Sequence, residues 1–359
     1  MSGAHLPVSL VQIEPTSRCN LSCQSCLRGS HPDSWLERDL DASTLKALLV
    51  YLPPDTVVHL QGWGEPLLLP GIFQYISLVR GAGMRVSLTS NATLVDREMA
   101  TELIRSGLDS LTFSMAGFAN IQDDLRGPGT FIRLEEALEH IKRGKQELGS
   151  KRPCLAISYL LTPATIKQLP RAVSWCARRG VSSLAGVHMT HPVSDLQRSL
   201  QCMGHGKGER KRYKKYLFLA QIKAIIHGLR LELPPLLASE EPICGKNPQD
   251  SFFVAADGSV APCVFLCPPH ADNNTPLPRC VFGNLHDQTL PIIWNRPAYK
   301  RFRQDFARRV QFYETSLAGV GFDLDAPERL DRAKEMIAHF FADNPPPAAC
   351  RNCLKIQGA

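Results

Sequence analysis

The stretch IEPTSRCNLSCQSC, residues 13–26, decides the fold class of this chain. It places Cys19, Cys23 and Cys26 within eight residues, spaced C-x3-C-x2-C, directly after an apolar run that is the first predicted strand. Three thiolates with no fourth cysteine or histidine nearby cannot complete a tetrahedral zinc site locally. They can ligate three irons of a four-iron cluster and leave one iron open to an exogenous ligand. A zinc site completed by a distant residue is the alternative.

Strand and helix patterns alternate from this stretch through the first half of the chain. Apolar, β-branched runs predict six strands, at 10–15, 57–62, 85–91, 110–116, 154–161 and 183–189. Helices are predicted between them at 43–51, 71–82, 96–106, 130–147 and 168–179, and glycines close behind most of them favour helix ends. Such βα units predict a parallel sheet whose working site lies at the C-terminal ends of its strands. Six units are fewer than the eight of a closed barrel, so we expect an open or partial barrel.

Composition excludes several classes of protein. The chain has 359 residues, 44% hydrophobic and 21% charged, which excludes a disordered or fibrous protein. No stretch approaches the ~18 apolar residues of a membrane span, and the N-terminus lacks the basic and apolar regions of a secretory signal. We therefore expect a cytoplasmic protein, in which thiols stay reduced. Its twelve cysteines then indicate metal binding or catalysis rather than disulfides.

The length predicts two domains, or one large domain with an appendage. Because the alternation stops near residue 195, we predict a barrel at 1–200, a junction with a bridging helix at 201–241, and a second domain at 242–359. The junction contains a helical pattern at 213–228. The last region contains a predicted hairpin with an Asp-Gly turn, in FFVAADGSVAPC (252–263), and helical patterns at 291–306 and 327–341.

The C-x3-C-x2-C loop after the first strand of a six-unit partial barrel resembles the hallmark of the radical S-adenosylmethionine (radical SAM) enzymes. The resemblance implies that Cys19, Cys23 and Cys26 bind a 4Fe–4S cluster whose fourth iron chelates the amino and carboxylate groups of SAM. One electron, from a reductant such as flavodoxin or ferredoxin, then cleaves SAM to a 5′-deoxyadenosyl radical that abstracts a substrate hydrogen. One departure is Ser25, because this position is often aromatic in the family and stacks near adenine.

Further motifs follow in the order of the family. GWGEP (62–66), after the second strand, resembles the GGEP motif and assigns Gly64, Glu65 and Pro66 to the SAM ammonium. Other candidates for SAM contacts, with ordinary turn or cap roles as the alternative, are Ser90, Asn91, Ser114 and Arg126. At the end of the sixth strand, two histidines are candidates for the substrate site or for structural roles: His188 and His191.

The C-terminal third carries a second set of cysteines. Its spacing resembles the SPASM/twitch extension of a subset of radical SAM enzymes, which holds auxiliary 4Fe–4S clusters. The resemblance implies one auxiliary 4Fe–4S cluster, because the dense central run of the two-cluster pattern is missing; its four ligands are Cys244, Cys263, Cys350 and Cys353. Zinc in this site is the alternative. Cys267 and Cys280 are replacement ligands or free thiols near the substrate.

Three cysteines lie outside both sets. Cys154 and Cys176 fall in an apolar strand and helix, where a free cysteine is usually a small buried hydrophobic residue. Cys202 is unassigned.

The two resemblances imply an α/β fold: a partial (β/α)6 radical SAM barrel with a C-terminal α+β SPASM/twitch-type cluster-binding domain. They imply an oxidoreductase or maturase that modifies a peptide, a protein or a cofactor. The opening segment and GWGEPLLLP (62–70) resemble in particular maturases associated with tungsten-cofactor oxidoreductases. A small-molecule dehydrogenase of cofactor or antibiotic biosynthesis and a non-catalytic iron–sulfur or zinc-binding protein are the alternatives.

The charge distribution indicates which classes of partner the chain is expected to bind. With 41 Lys and Arg against 34 Asp and Glu, the net charge is only +7, and the basic run GKGERKRYKK (206–215) comes with no interleaved aromatic platform and no RNA-binding motif. Nucleic-acid binding is therefore not expected. We hypothesise that this run attracts an acidic substrate, such as a phosphorylated metabolite or an acidic peptide segment.

Overall fold

A computed structural model describes residues 5–203, 207–269, 279–321 and 325–359. Parts of all three predicted domains, including residues 204–206 of the basic junction, lie outside the described residues. The strands are β1 (Leu10–Ile13), β2 (Val57–Leu60), β3 (Arg85–Ser90), β4 (Ser110–Met115), β5 (Cys154–Leu161), β6 (Ser183–His188), β7 (Arg230–Glu232), β8 (Ser251–Val254), β9 (Ser259–Ala261) and β10 (Gly283–Asn284). The six strands predicted for the first half are confirmed.

The helices also follow the predicted pattern in the first half. They are α1 (Leu27–Ser30), α2 (Ala42–Leu49), α3 (Ile72–Gly81), α4 (Arg97–Arg105), α5 (Asn120–Arg126), α6 (Thr130–Glu147), α7 (Leu169–Arg178), α8 (Asp195–Ser199), α9 (Lys207–His227), α10 (Leu290–Trp294), α11 (Pro297–Ala318) and α12 (Ala326–Asp343). The short helices α1, α5 and α8 were not predicted, and α9 begins six residues before the predicted start.

The single helix predicted at 291–306 is wrong, because the chain forms α10 and α11 there. Arg296 lies between them with extended backbone angles (φ −57°, ψ 138°). The following proline disfavours a helical conformation at Arg296, and Pro297 itself starts α11.

All ten strands form one sheet, in the order β10-β9-β8-β1-β2-β3-β4-β5-β6-β7. Strands β1 to β7 are parallel, as the βα alternation predicts. The predicted hairpin is confirmed as the antiparallel pair β8–β9, and β8 itself pairs parallel to β1, with Val11 opposite Phe252. The C-terminal region therefore extends the barrel sheet, which the sequence did not predict.

One hydrophobic core joins the two regions. It contains barrel residues such as Val11 and Leu60 together with Trp294, Tyr299 and Ile356 from the C-terminal third. Each large apolar side chain removed from water contributes about 1.5–3 kcal/mol, so the C-terminal residues stabilise the barrel directly. The division into domains remains a prediction.

The cysteines outside the two sets differ in burial. Cys176 on α7 and Cys202 are fully buried, and burial raises the pKa of each thiol to about 12. The expectation of a buried Cys154 is wrong, because this residue is exposed. It is the first residue of β5, whose side chains alternate in exposure and begin on the open side. No helix of the described residues is long and apolar enough to cross a membrane.

Candidate functional site

The loop that carries Cys19, Cys23 and Cys26 follows β1 and is held by hydrogen bonds on two sides. Trp35 donates its indole N–H to the carbonyl of Ser17 at 3.1 Å, and Ser17 Oγ donates to the carbonyl of Leu36 at 2.7 Å. On the other side, Gln197 Nε2 on α8 donates to the carbonyls of Gln24 and Cys26 at 3.0 and 3.2 Å. These contacts fix the loop over the C-terminal end of the barrel.

The loop closes one wall of a cavity of about 250 Å³. This volume is slightly below the range of small-molecule sites, roughly 300–1,000 Å³. It brings together the three cysteines and most of the residues predicted to contact SAM: Gly64, Glu65, Ser90, Asn91, Ser114 and Arg126. Ser25 lines it as well. Pro66 does not, because it is buried at the start of the 3-10 helix Pro66–Leu68.

Two glycines of GWGEP allow the loops to approach closely. A Cβ on Gly64 would lie 2.1 Å from the carbonyl oxygen of Thr16, and a Cβ on Gly62 would lie 2.4 Å from Glu14 Oε1. Neither backbone has room for a side chain. Glycine at position 64 is therefore needed to bring this loop against the segment that leads to the first cysteine.

Glu65 is a buried carboxylate in the wall of the cavity. Its Oε2 accepts a hydrogen bond from the N–H of Asn91 at 2.7 Å, and its Oε1 accepts one from the N–H of Leu67 at 3.2 Å. Burial raises the pKa of Glu65, and these hydrogen bonds oppose the rise. A carboxylate has about four acceptor positions, so lone pairs remain for a donor inside the cavity.

The other predicted contacts occupy the same wall. Asn91 Nδ2 donates to Asn20 Oδ1 at 2.9 Å, and Ser90 Oγ accepts from the N–H of Ala92 at 3.0 Å. Arg126 lines the cavity, and its Nε is buried with no hydrogen-bond partner among the described residues. A buried guanidinium N–H without a partner is costly, and an anionic group in this cavity would satisfy it.

Glu14 is a site residue that the sequence reasoning missed. It is fully buried at the end of β1 and accepts from the N–H of Trp63 at 2.6 Å and from that of Ala256 at 3.1 Å. Burial raises the pKa of Glu14 to about 7. This side chain thus connects three segments that are remote in sequence. The only local signal is an acidic residue directly after an apolar strand.

A second, more enclosed cavity is lined by all four predicted auxiliary ligands, Cys244, Cys263, Cys350 and Cys353. Burial raises the pKa of every one of these thiols, that of Cys263 to about 12, and neighbouring thiols raise the pKa of Cys263, Cys350 and Cys353 further. Four such thiols lose their protons together only when a strongly cationic centre binds them.

The donor sets fit the implied clusters. The first cavity offers three thiols and a separate polar wall, and the second offers four thiols among apolar side chains, two lysines and a histidine. No group of three or more metal-ligating side chains among residues 5–203, 207–269, 279–321 and 325–359 converges on one metal ion.

The remaining candidates are two cysteines and two histidines. Cys267 is fully buried in a separate apolar cluster, and Cys280 packs against the main core. His191 lines the cavity and stacks on Phe265 with ring centroids 4.3 Å apart. His188 is buried, and its Nε2 is 2.9 Å from the carbonyl oxygen of Pro235, which favours a structural role.

Trp63 connects the walls of the two cavities. It lines the first cavity, and its ring meets that of Phe265, which lines the second, edge to face at a centroid distance of 6.0 Å. Its indole N–H donates to the carbonyl of Val264 at 3.1 Å. One aromatic contact therefore separates the two thiol-lined cavities.

Comparisons with known proteins agree with this arrangement. The model of the radical SAM superfamily matches residues 13–176, and that of the SPASM iron–sulfur cluster-binding domain matches residues 244–315. The tungsten-containing aldehyde ferredoxin oxidoreductase cofactor-modifying protein of Pyrococcus furiosus is 24% identical over 81% of this chain and 82% of its own. PqqA peptide cyclase of Gluconobacter oxydans is 26% identical over 83% of this chain and 79% of its own.

A solved structure has the same fold. The structure of native anSMEcpe with bound AdoMet and Cp18Cys peptide superposes with a TM-score of 0.61 at 20% identity, over 83% of this chain and 82% of that chain. The predicted fold, a partial radical SAM barrel followed by a SPASM domain, is confirmed.

Proposed function

Since the chain belongs to the radical SAM superfamily and carries a C-terminal SPASM domain, we propose that it is a maturase that modifies a peptide, a protein or a protein-bound cofactor. The observation that carries this proposal is the pair of thiol-lined cavities one aromatic contact apart. A site for radical formation beside a second redox centre suits oxidation of a substrate held between them.

When bound, the first cluster and SAM supply a 5′-deoxyadenosyl radical that removes a hydrogen atom from the substrate. In this chain Cys19, Cys23 and Cys26 would hold the cluster. Glu65, with its remaining lone pairs, would accept from the SAM ammonium, and the unpartnered Nε of Arg126 would donate to its carboxylate.

Cys244, Cys263, Cys350 and Cys353 would hold an auxiliary 4Fe–4S cluster. When bound, this cluster supplies a one-electron acceptor for the substrate. The apolar wall that these cysteines share with Phe265 and Leu266 would keep water away from it.

Two relatives that span most of the chain support a large substrate. One is named for modifying the cofactor of an oxidoreductase and the other for cyclising a peptide. The exposed basic residues on the first turns of α9, among them Arg212, Lys214 and Lys215, would attract an acidic polypeptide segment. We further propose a cytoplasmic setting, with reduced thiols and a flavodoxin or ferredoxin as the electron donor.

The test measures 5′-deoxyadenosine formation by the anaerobically reconstituted protein, alone and with candidate substrates. A maturase predicts acceleration by a partner polypeptide, including a tungsten oxidoreductase or a peptide encoded nearby. Acceleration only by metabolites would replace this proposal with a small-molecule dehydrogenase. No SAM cleavage under any condition would indicate a non-catalytic iron–sulfur or zinc-binding protein.

A further inference from the structure

Two lysines flank the auxiliary cavity, each two residues after a cysteine of the set. Lys246 follows Cys244, and Lys355 follows Cys353. Both lysine side chains line the cavity together with the four thiols, and both are only partly accessible to solvent. Most lysines of a protein place their ammonium in water, so two on one enclosed cavity need an explanation.

The described residues offer these two cations no carboxylate partner. Lys246 Nζ donates to the neutral Oε1 of Gln12 at 3.3 Å, and neither lysine forms an ion pair with a described residue. The polar side chains that share the cavity with these lysines are the four thiols and His191.

Partly buried like charges with no counter-ion are unfavourable unless an anionic group lies between them. A 4Fe–4S cluster with four thiolates is such a group, since it carries a net charge of about −2 in its oxidised state. Two ammonium groups balance that charge. On reduction the cluster gains one further negative charge, and nearby positive charge favours that state.

We propose that Lys246 and Lys355 compensate the charge of the auxiliary cluster and raise its reduction potential, so that it accepts an electron from the substrate. The electron balance is one for one: the substrate radical loses one electron and the cluster gains it. This inference rests on the auxiliary cluster of the proposed function. It adds to that function two side chains that are not cluster ligands and that set the reduction potential of the cluster.

The experiment isolates the auxiliary cluster in the full chain by Cys19→Ala, Cys23→Ala and Cys26→Ala together. Its reduction potential is then measured by anaerobic titration followed by electron paramagnetic resonance. Lys246→Met and Lys355→Met, alone and combined, remove the charges but keep most of the apolar stems. Lys246→Arg and Lys355→Arg keep the charge, and Lys300→Met, at an exposed position of α11, is the matched control.

We expect each Met variant to lower the potential, with a larger effect in the double variant. At a fixed potential the ratio of reduced to oxidised cluster should fall by about tenfold in the double variant, equivalent to 59 mV for one electron. The Arg variants and Lys300→Met should keep the parent potential. Loss of auxiliary iron in the Met variants with retention in the Arg variants would also support charge compensation.

Two results would overturn the inference: an unchanged potential in the double Met variant, or equal loss of iron in the Met and Arg variants. A different failure belongs to the proposed function. If the parent triple variant holds zinc or no metal and gives no cluster signal, the auxiliary cluster itself is absent.

Discussion

At the scale of single residues, two buried carboxylates organise the first cavity. Glu65 accepts backbone N–H groups from the end of β3 and from the turn after GWGEP, and Glu14 accepts them from GWGEP and from the β8–β9 turn. Each such hydrogen bond contributes about 0.5–1.5 kcal/mol when the carboxyl group is neutral and about 1.5–3 kcal/mol when it is ionised. Because the partners of each side chain lie on different segments, each carboxyl group holds those segments in one relative position.

Glu14 gives a prediction about pH. Its pKa is raised from 4.5 to about 7 by burial, so the folded state binds a proton that the unfolded state has lost. The contribution of this group to the free energy of unfolding is therefore fully present below pH 4.5 and falls as the pH rises to about 7, by up to about 3 kcal/mol.

Urea unfolding of the apo protein and of Glu14→Gln from pH 4.5 to 7.5 checks this prediction. The difference in unfolding free energy, wild type minus variant, should decrease as the pH rises, because only the wild type has the Glu14 carboxyl group. The lowered pKa values of His59 and His191 affect both proteins alike and cancel in this difference. A difference that rises with pH would mean that the ionised carboxylate is the favoured folded form.

Gly64 gives a prediction about close approach. In Gly64→Ala the new Cβ would lie 2.1 Å from the Thr16 carbonyl oxygen, so the two loops must separate. We expect the variant to fold but to lose most of the iron bound at the first site, with at least about a tenfold loss of SAM cleavage, since such a misplacement costs more than about 1.4 kcal/mol of transition-state stabilisation.

The control for this variant is Gly81→Ala, where nothing lies within 4 Å of the added Cβ. Gly81 is on α3, so the control should keep its iron and gain some helix stability. Normal iron content in Gly64→Ala would show that the loops tolerate separation.

At the scale of elements, local sequence patterns predicted the strands and helices of the first half, but they did not predict which distant strands pair. The strands of the first half follow from apolar β-branched runs, and the helices between them from periodicity and from glycine at their ends. The pairing of β8 with β1 was not predicted, because it joins residues about 240 positions apart and leaves no local signal. The break between α10 and α11 was missed although Pro297 is a visible signal.

The same contrast applies to the candidate site. The cysteines and GWGEP could be recognised from their spacing along the chain. Glu14 could not, because its partners are Trp63 and Ala256, which only the folded chain brings to it. Lys246 and Lys355 were also missed, because they are remote in sequence and only the folded chain brings both to the auxiliary cavity.

Trp63 gives a prediction about the contact between the two cavities. Trp63→Phe removes the indole hydrogen bond to Val264 but keeps a ring, so the free energy of unfolding should fall by about 1 kcal/mol. Trp63→Ala also removes the contacts with Trp35 and Phe265 and should cost about 3 kcal/mol.

Urea denaturation of the apo protein measures both changes. Phe218→Ala is the control, because this aromatic residue on α9 is 62% exposed and its removal should change little. Equal effects of Trp63→Phe and Trp63→Ala would mean that the ring contacts contribute nothing.

At the scale of the whole molecule, one sheet and one core extend across the predicted domain boundary. Without β8, strand β1 would become an open edge of the barrel sheet, and the core would lose residues such as Tyr299 and Phe306. Unpaired edges and exposed apolar surface favour aggregation.

A truncated chain, residues 1–241, tests this continuity. We expect it to aggregate or to lack a cooperative unfolding transition, whereas the full chain unfolds in one main transition. Size-exclusion chromatography and thermal denaturation followed by circular dichroism measure both properties. A monomeric fragment that unfolds cooperatively would show that the barrel is an independent domain.

The central claim is that the two thiol sets hold two 4Fe–4S clusters with separate roles. Iron and sulfide analysis after anaerobic reconstitution, combined with SAM cleavage in dithionite, tests it most directly. We predict about eight irons per chain, about four and no 5′-deoxyadenosine in the Cys19, Cys23 and Cys26→Ala variant, and about four with retained SAM cleavage in the Cys350 and Cys353→Ala variant. Four irons together with zinc in the wild type, or 5′-deoxyadenosine formation without the first three cysteines, would contradict the claim.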